Sequence, residues 1–186
     1  MHGSINYQPS IVFNTQSIII MTKIADSEIN EKELIIRHAQ LKDSEEIRYL
    51  ISEMEEKELP ADTFGQIYRT QLHNDKFLCL VGEMAGKVVA CINLRMEWQL
   101  HHAARICEIM EFAVQSDCRS QGIGKRLFDR ACNEAKAEGC VQIEVACNQL
   151  RVRTHHFYER MGMHNFHYKF SLDFSTDAGI ENRLGR

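Results

Sequence analysis

Residues Asp117–Phe128 read DCRSQGIGKRLF. The stretch sets Arg119, Gly122, Gly124 and Lys125 where an apolar, β-rich run gives way to apolar residues at helical spacing. A strand that turns on glycines into a helix leaves backbone N–H groups pointing outward, and the helix dipole adds partial positive charge there. Gly122 and Gly124 leave room for a phosphate to approach the backbone. Arg119 and Lys125 add charged donors at the rim. The stretch is therefore a candidate phosphate cradle, with a ligand-free helix-start turn as the alternative.

Spacing excludes two nucleotide forms of such a cradle. The P-loop, G-x-x-x-x-G-K-[ST], needs a glycine where Arg119 or Ser120 stands. The dinucleotide fingerprint needs a third glycine where Leu127 stands, and it belongs early in a βαβ unit.

Outward from this point, apolar periodicity gives an order of elements. Upstream, Glu33–Ala39 (ELIIRHA) reads as a strand. A helix follows in which Ile47, Leu50, Ile51 and Met54 share a face, with Asp43 and Glu46 spaced as a capping box. Pro60 ends that helix, and ADTFGQIYRTQLHN forms a second, weaker one. Lys76–Trp98 reads as a hairpin turning near Gly86, and Arg105–Gln115 as another strand. The helix opened by the glycine turn carries Ile123, Leu127, Phe128, Ala131 and Ala135 on one face, with Gly139 placed to cap it. VQIEVAC is a strand, RVRTHHFYERMG a short helix, and HNFHYKFSLDF a final strand. The order β-α-α-β-β-β-α-β-α-β predicts a single α/β (α+β) domain over 33–174, built on a mixed sheet. Residues 1–32 are expected to be a loosely ordered or misassigned extension, since Met21 reads like a start, and 175–186 a tail.

Composition narrows the function classes. The 186 residues suit one domain, and the net charge of −4 offers no basic face for nucleic acid. No run approaches the roughly 18 apolar residues of a membrane span. The seven cysteines are odd in number, contain no C-x-x-C pair and sit mostly in apolar runs, so a reducing cytoplasm is expected, without a disulfide frame or structural zinc.

The RSQGIG turn resembles the Q/R-x-x-G-x-G/A signature of the GNAT N-acetyltransferase superfamily. FYERMGM, Phe157–Met163, is similar to that superfamily's F-Y-x-x-x-G-F segment, and Asn148 lies between the two. The element order matches as well, so the resemblance spans about 33–174. It implies the GNAT fold, with a sheet of six to seven strands and about four helices.

The resemblance also implies a chemistry. The turn would hold the pyrophosphate of acetyl-CoA through Arg119, Ser120, Gln121, Gly122, Ile123, Gly124 and Lys125. Ser120 stands where glycine is frequent. The backbone of Phe112, Ala113 and Val114 would bind the pantetheine arm, and Asn148 the cofactor or the neighbouring strand end. Tyr158 aligns with the tyrosine that protonates the departing thiolate, the alternative being a tyrosine held by packing. An attacking alkylamine must first lose a proton, so a base is required. Glu111 and Glu108 are the candidates, Glu111 preferred because it is nearer the pantetheine end. Strict alternation puts the two on opposite faces unless a bulge, usual in this superfamily's strand, lies between them.

LHH (Leu100–His102) ahead of an E-I-x-E strand, with THHFYERMG later, resembles the aminoalkylphosphonate N-acetyltransferases within the superfamily. That resemblance implies a small primary amine bearing a phosphonate as acceptor. His101, His102, Arg95 and Arg105 are the candidate anion contacts, and the His pair with Glu108 the candidate ligands of a divalent metal cation. A polar inter-strand turn is the alternative reading of the histidines. Another small amine (amino acid, polyamine or drug) and a non-catalytic acyl-CoA-binding module remain as alternative functions. A homodimer is expected, with the apolar final strand as its pairing edge.

Overall fold

The computed structural model describes residues 33–172 and 174. The N-terminal extension and the tail beyond 174 lie outside the described residues. The chain divides into two compact units at Ile143/Glu144.

The first unit is built on long antiparallel strands. β1 (Ile35–His38), β2 (Phe77–Met84), β3 (Lys87–Gln99) and β4 (Ala104–Val114) pair in chain order, each antiparallel to the next. β5 (Gln142–Val145) follows β4 in the sheet. It is reached through the helix α3 (Ile123–Ala137), the crossover that a parallel neighbour needs. The β2–β3 hairpin turns on Ala85 and Gly86, both at positive φ (50° and 76°), which matches the twist of tight hairpins.

α1 (Ser44–Glu55) and α2 (Ala61–Leu72) supply Ile47, Leu50, Ile51 and Tyr68 to a core shared with Cys79, Val81, Cys91 and Ala113 of the sheet. The alternate residues Leu80, Ile92 and Leu94 are fully buried on the opposite face. A Cβ placed on Gly82 of that face would meet Ile123 at 3.8 Å, which sets α3 there, with Leu127 and Ala131 fully buried.

The capping box expected of Asp43 and Glu46 does not form. Asp43 precedes α1 without a side-chain cap; its carboxylate accepts from Arg37 Nη1 (2.7 Å), Arg37 Nη2 (2.9 Å) and the Gln40 N–H (2.7 Å). An arginine from β1 that also meets Glu83, with the Gln40 amide, takes up this carboxylate in place of the first amides of α1.

The second unit carries α4 (Val152–Arg160) and the segment after it. The sheet has five strands rather than six or seven, because 164–172 has no strand ladder among the described residues. Its period-2 pattern is intact, yet Phe166, Tyr168, Phe170 and Phe174 are exposed. Alternation specifies a face, but a strand also needs a neighbouring edge to bond.

Candidate active site

β4 carries both candidate bases, and its ladder with β3 decides where they point. Asn93 pairs with Glu111, Leu94 with Ile109 and Arg95 with Glu108, so Met110 bulges out of the ladder. Cross-strand partners share a face, and Asn93 and Arg95, two residues apart, share theirs. Glu108 and Glu111 therefore stand on the same side of the sheet, the outcome that a bulge was expected to produce.

Their surroundings differ. The Glu111 Oε2 accepts from Asn93 Nδ2 at 2.8 Å, and Asn93 Nδ2 also meets Gln71 Oε1 of α2 at 2.9 Å. Burial pushes the Glu111 carboxyl above the usual carboxylate range; the Asn93 hydrogen bond pulls it partly back, and Glu55 raises it further. A raised carboxyl brings a base closer to the pH at which it must work. Glu108 is instead ion-paired to Arg95, which also lies 3.5 Å from Glu97. Asn93, only 8% exposed, was not singled out from the sequence. The available signal was one amide inside the apolar run VVACINL.

A cavity of about 170 Å³ adjoins this row, lined by Tyr68, Gln71, Phe77, Cys79 and Asn93 among others. It lies between α2, the end of β1 and the start of β2, beside the middle of β3.

β4 ends in a turn whose backbone is shaped for anion binding. Ser120 and Gly122 both adopt left-handed conformations, at φ 62° and 83°. Gly122 caps α3 without any side-chain bond, and the first helical bond runs from the Arg126 N–H to the Gly122 carbonyl. The N–H groups of Ile123, Gly124 and Lys125 thus have no partner within the helix. A Cβ on Gly122 would meet nothing within 4 Å, so the space before these amides is open. The arrangement fits a pyrophosphate. Arg119 Nε donates to the Val114 carbonyl (2.8 Å), tying the turn to the strand end. Gln121 Nε2 donates to the Asp117 carbonyl (3.0 Å), and Lys125 pairs with Asp129 (2.6 Å). These side chains brace the turn, and the backbone supplies the donors. Phe112 and Ala113 pair with Ile92 and Cys91, and Val114 with Ala90.

His101 and His102 sit exposed in the turn between β3 and β4, with ring centroids 4.2 Å apart. β2 pairs no further than Arg95, whereas β4 is flanked on its other side up to Arg105, whose carbonyl accepts from the Val141 N–H (3.0 Å) just before β5. Gln99, at the hairpin's end, is four positions on from Arg95, about 13 Å of strand. The structure does not bring the His pair beside Arg95 or Glu108. Among the described residues no group of three or more His, Cys, Asp or Glu is set to hold a metal. A shared ion needs donors within roughly 2.0–2.2 Å, so the His pair and Glu108 do not fit one metal site.

In the second unit, Tyr158 is 8% exposed and packs edge-on against Phe157, ring centroids 5.4 Å apart. Burial pushes its phenol well above the usual range, Cys147 adds to this and Arg151 opposes it. The hydroxyl is therefore protonated at neutral pH, as a general acid must be. Asn148 is exposed and works locally: its Oδ1 accepts from the Leu150 N–H (2.9 Å), and its carbonyl from the Arg151 N–H (3.0 Å). The Asx turn so formed leads the chain into α4.

Comparison with known proteins agrees with this geometry. Residues 41–163 match the model of the acetyltransferase (GNAT) family. The aminoalkylphosphonate N-acetyltransferase of Salmonella typhimurium strain LT2 is 33% identical over 136 residues, covering 73% of this chain and 88% of that protein. Among solved structures, a transcriptional regulator from Bacillus halodurans C-125 superposes with a TM-score of 0.71 at 20% identity, covering 76% of this chain and 100% of that one. The glucosamine-6-phosphate N-acetyltransferase of Arabidopsis thaliana gives 0.66 at 21%, covering 77% and 100%. At such identities the structures speak to the fold alone. The glycine turn, the bulged strand with its half-buried carboxylate and the family match lead to one conclusion: this chain belongs to the GNAT family and is an acetyl-CoA-dependent N-acetyltransferase.

Proposed function

We propose that the acceptor is the primary amine of an aminoalkylphosphonate. The observation that carries this reading is the 33% identity to the Salmonella enzyme across 88% of its length. Arg95 supports it: its Nε is buried without a hydrogen-bond partner, a donor suited to an anionic group on the face that carries Glu111. The exposed His101 and His102, in the turn between β3 and β4, would meet the anion on its approach rather than seat it.

Acetyl-CoA supplies the acyl group activated as a thioester. Its pyrophosphate is assigned to the Arg119–Lys125 backbone and its pantetheine arm to β4 at Phe112–Val114. Glu111 takes a proton from the ammonium of the acceptor, directly or through water, and the free amine attacks the acyl carbon. As the C–N bond forms and the C–S bond breaks, Tyr158 gives a proton to the departing sulfur, and the second proton shed by the acylated nitrogen restores the phenol through water. Glu108, held by Arg95, would shape the anion pocket.

We further propose that the enzyme works as a homodimer in the cytoplasm. The exposed alternating Phe166, Tyr168, Phe170, Leu172 and Phe174 support pairing, and the seven free cysteines a reducing compartment. Among the described residues, no helix is long and apolar enough to cross a membrane. Light scattering after gel filtration tests the assembly.

The substrate test is thiol release from acetyl-CoA with 2-aminoethylphosphonate, spermidine, glutamate and an aminoglycoside, each with and without chelator. Preference for the phosphonate, lost in Arg95→Ala through KM, is the expected result. Turnover of another amine in its place overturns the acceptor assignment.

A further inference from the structure

Four side chains from four elements meet in one row, with Asn93 and Cys79 buried and Glu111 and Gln71 half-buried. Glu111 of β4 faces Asn93 of β3, whose amide also meets Gln71 of α2; Cys79 of β2 completes the row across the sheet. The surrounding core is apolar, formed by Tyr68, Val81, Cys91 and Ala113. An amide in such a core costs free energy unless its donors are used, and an amide with two acceptors can be held in a single orientation. The β4 bulge falls at the same register, and bulges re-aim side chains beside active sites. Asn93 and Gln71 also line the cavity beside the row.

We propose that Asn93 is a positioning residue for acetyl transfer: its Nδ2 fixes the Glu111 carboxylate on the acceptor face and favours its ionised form, while Gln71 locks the Asn93 amide from α2. The proposal rests on the reading of Glu111 as the base. It adds a second element, α2, to the control of that base, so movement of α2 would be felt at Glu111.

The groups that face Glu111 leave this contact separable from background electrostatics. Glu55 comes from α1, Cys79 from β2, Cys91 and Arg95 from β3, and Glu108 from β4 itself. Burial pushes the Cys91 thiol up to about 12 and raises Cys79 strongly, so both stay neutral through an ordinary assay range. Arg95 and Glu108 largely offset one another as an ion pair. Asn93 is then the short-range contact that stabilises charge on Glu111.

The test compares pH profiles of kcat/KM for the wild type, Asn93→Ala, Asn93→Ser and Gln71→Ala. The acceptor is 2-aminoethylphosphonate, or the panel amine turned over fastest. A hydrogen bond to an ionised group holds a pKa down by about one unit or more, so the acid limb of Asn93→Ala should move up by about one pH unit. Gln71→Ala should move it less and in the same direction. Rates should recover toward wild type at high pH, with KM for acetyl-CoA unchanged within about twofold. A uniform loss of rate with an unmoved limb overturns the proposal, because it is what a purely structural role predicts. If Asn93→Ala does not fold, Asn93→Ser and Gln71→Ala carry the same decision. Glu111→Gln isolates the underlying assumption: retention of rate and acid limb there removes Glu111 as the base, whatever Asn93 does.

Discussion

Glu108 and Glu111, three residues apart on β4, lie on one face of the sheet because Met110 bulges out between the pairs Leu94–Ile109 and Asn93–Glu111. One carboxylate is neutralised by Arg95 and the other is half-buried against an amide. That division of environments supports the roles proposed for them, Glu108 as a structural anion and Glu111 as a proton acceptor.

Glu111→Gln should lower kcat by about 10²- to 10⁴-fold, the usual contribution of a positioned base. Its effect on stability has the opposite sign. The folded carboxyl ionises at higher pH than an unfolded one, so the native state loses stability as pH rises through that interval. The amide should therefore unfold at a temperature equal to or above wild type at pH 8, with the gap closing near pH 4. Thermal melts at the two pH values check this. A melt lower by several degrees at pH 8 would contradict the burial argument.

Most elements were legible because their periodicity is local. The helix face Ile123–Leu127–Ala131–Ala135 and the Ala85–Gly86 turn needed nothing beyond their own neighbourhood. The exceptions depend on contacts distant in sequence. Asp43 has the spacing of a cap, but Arg37 claims its carboxylate from another element. HNFHYKFSLDF has the alternation of a strand, but no sequence rule names an edge for it. At the site, the glycine turn was readable from spacing. The Asn93–Glu111 contact was not, because it depends on a register that Met110 shifts without any compositional sign.

Gly122→Ala isolates the turn from the chemistry. No atom lies within 4 Å of the added Cβ, so the substitution creates no clash, but at φ 83° it costs about 1–2 kcal/mol of backbone strain. Relief of that strain would rotate the first amides of α3 away from the pyrophosphate. KM for acetyl-CoA should rise about 5- to 10-fold with kcat changed less than twofold. Steady-state kinetics with saturating acceptor measure both.

Asp43→Asn tests the anchor of α1. The carboxylate is 1% exposed and accepts three hydrogen bonds, two of them from Arg37. Removing one partner of a buried pair costs up to about 3–5 kcal/mol, but Arg37 is 22% exposed and keeps Glu83, so a loss of about 2 kcal/mol is expected. Burial alone would raise the Asp43 carboxyl; the Arg37 and Gln40 hydrogen bonds outweigh it and hold it below the ordinary range. A depressed folded pKa gives stability that is present above the unfolded value and lost as pH falls through the folded one. The wild type should therefore lose its advantage over Asp43→Asn in acid, measured by urea unfolding at pH 7 and pH 3.

Tyr158→Phe separates proton donation from packing. The ring is buried beside Phe157, and the phenylalanine keeps that edge-on contact, so the melting temperature should change by only a few degrees. Burial holds the phenol protonated far above neutral pH, so wild-type activity should show no loss of this acid up to about pH 10. If the hydroxyl donates to the departing sulfur, its removal should lower kcat by about 10²-fold or more while KM for acetyl-CoA stays within about threefold. Single-turnover thiol release, which reads bond cleavage apart from product release, is the decisive measurement. An unchanged single-turnover rate would reduce Tyr158 to a packing residue and leave the departing sulfur to be protonated by solvent.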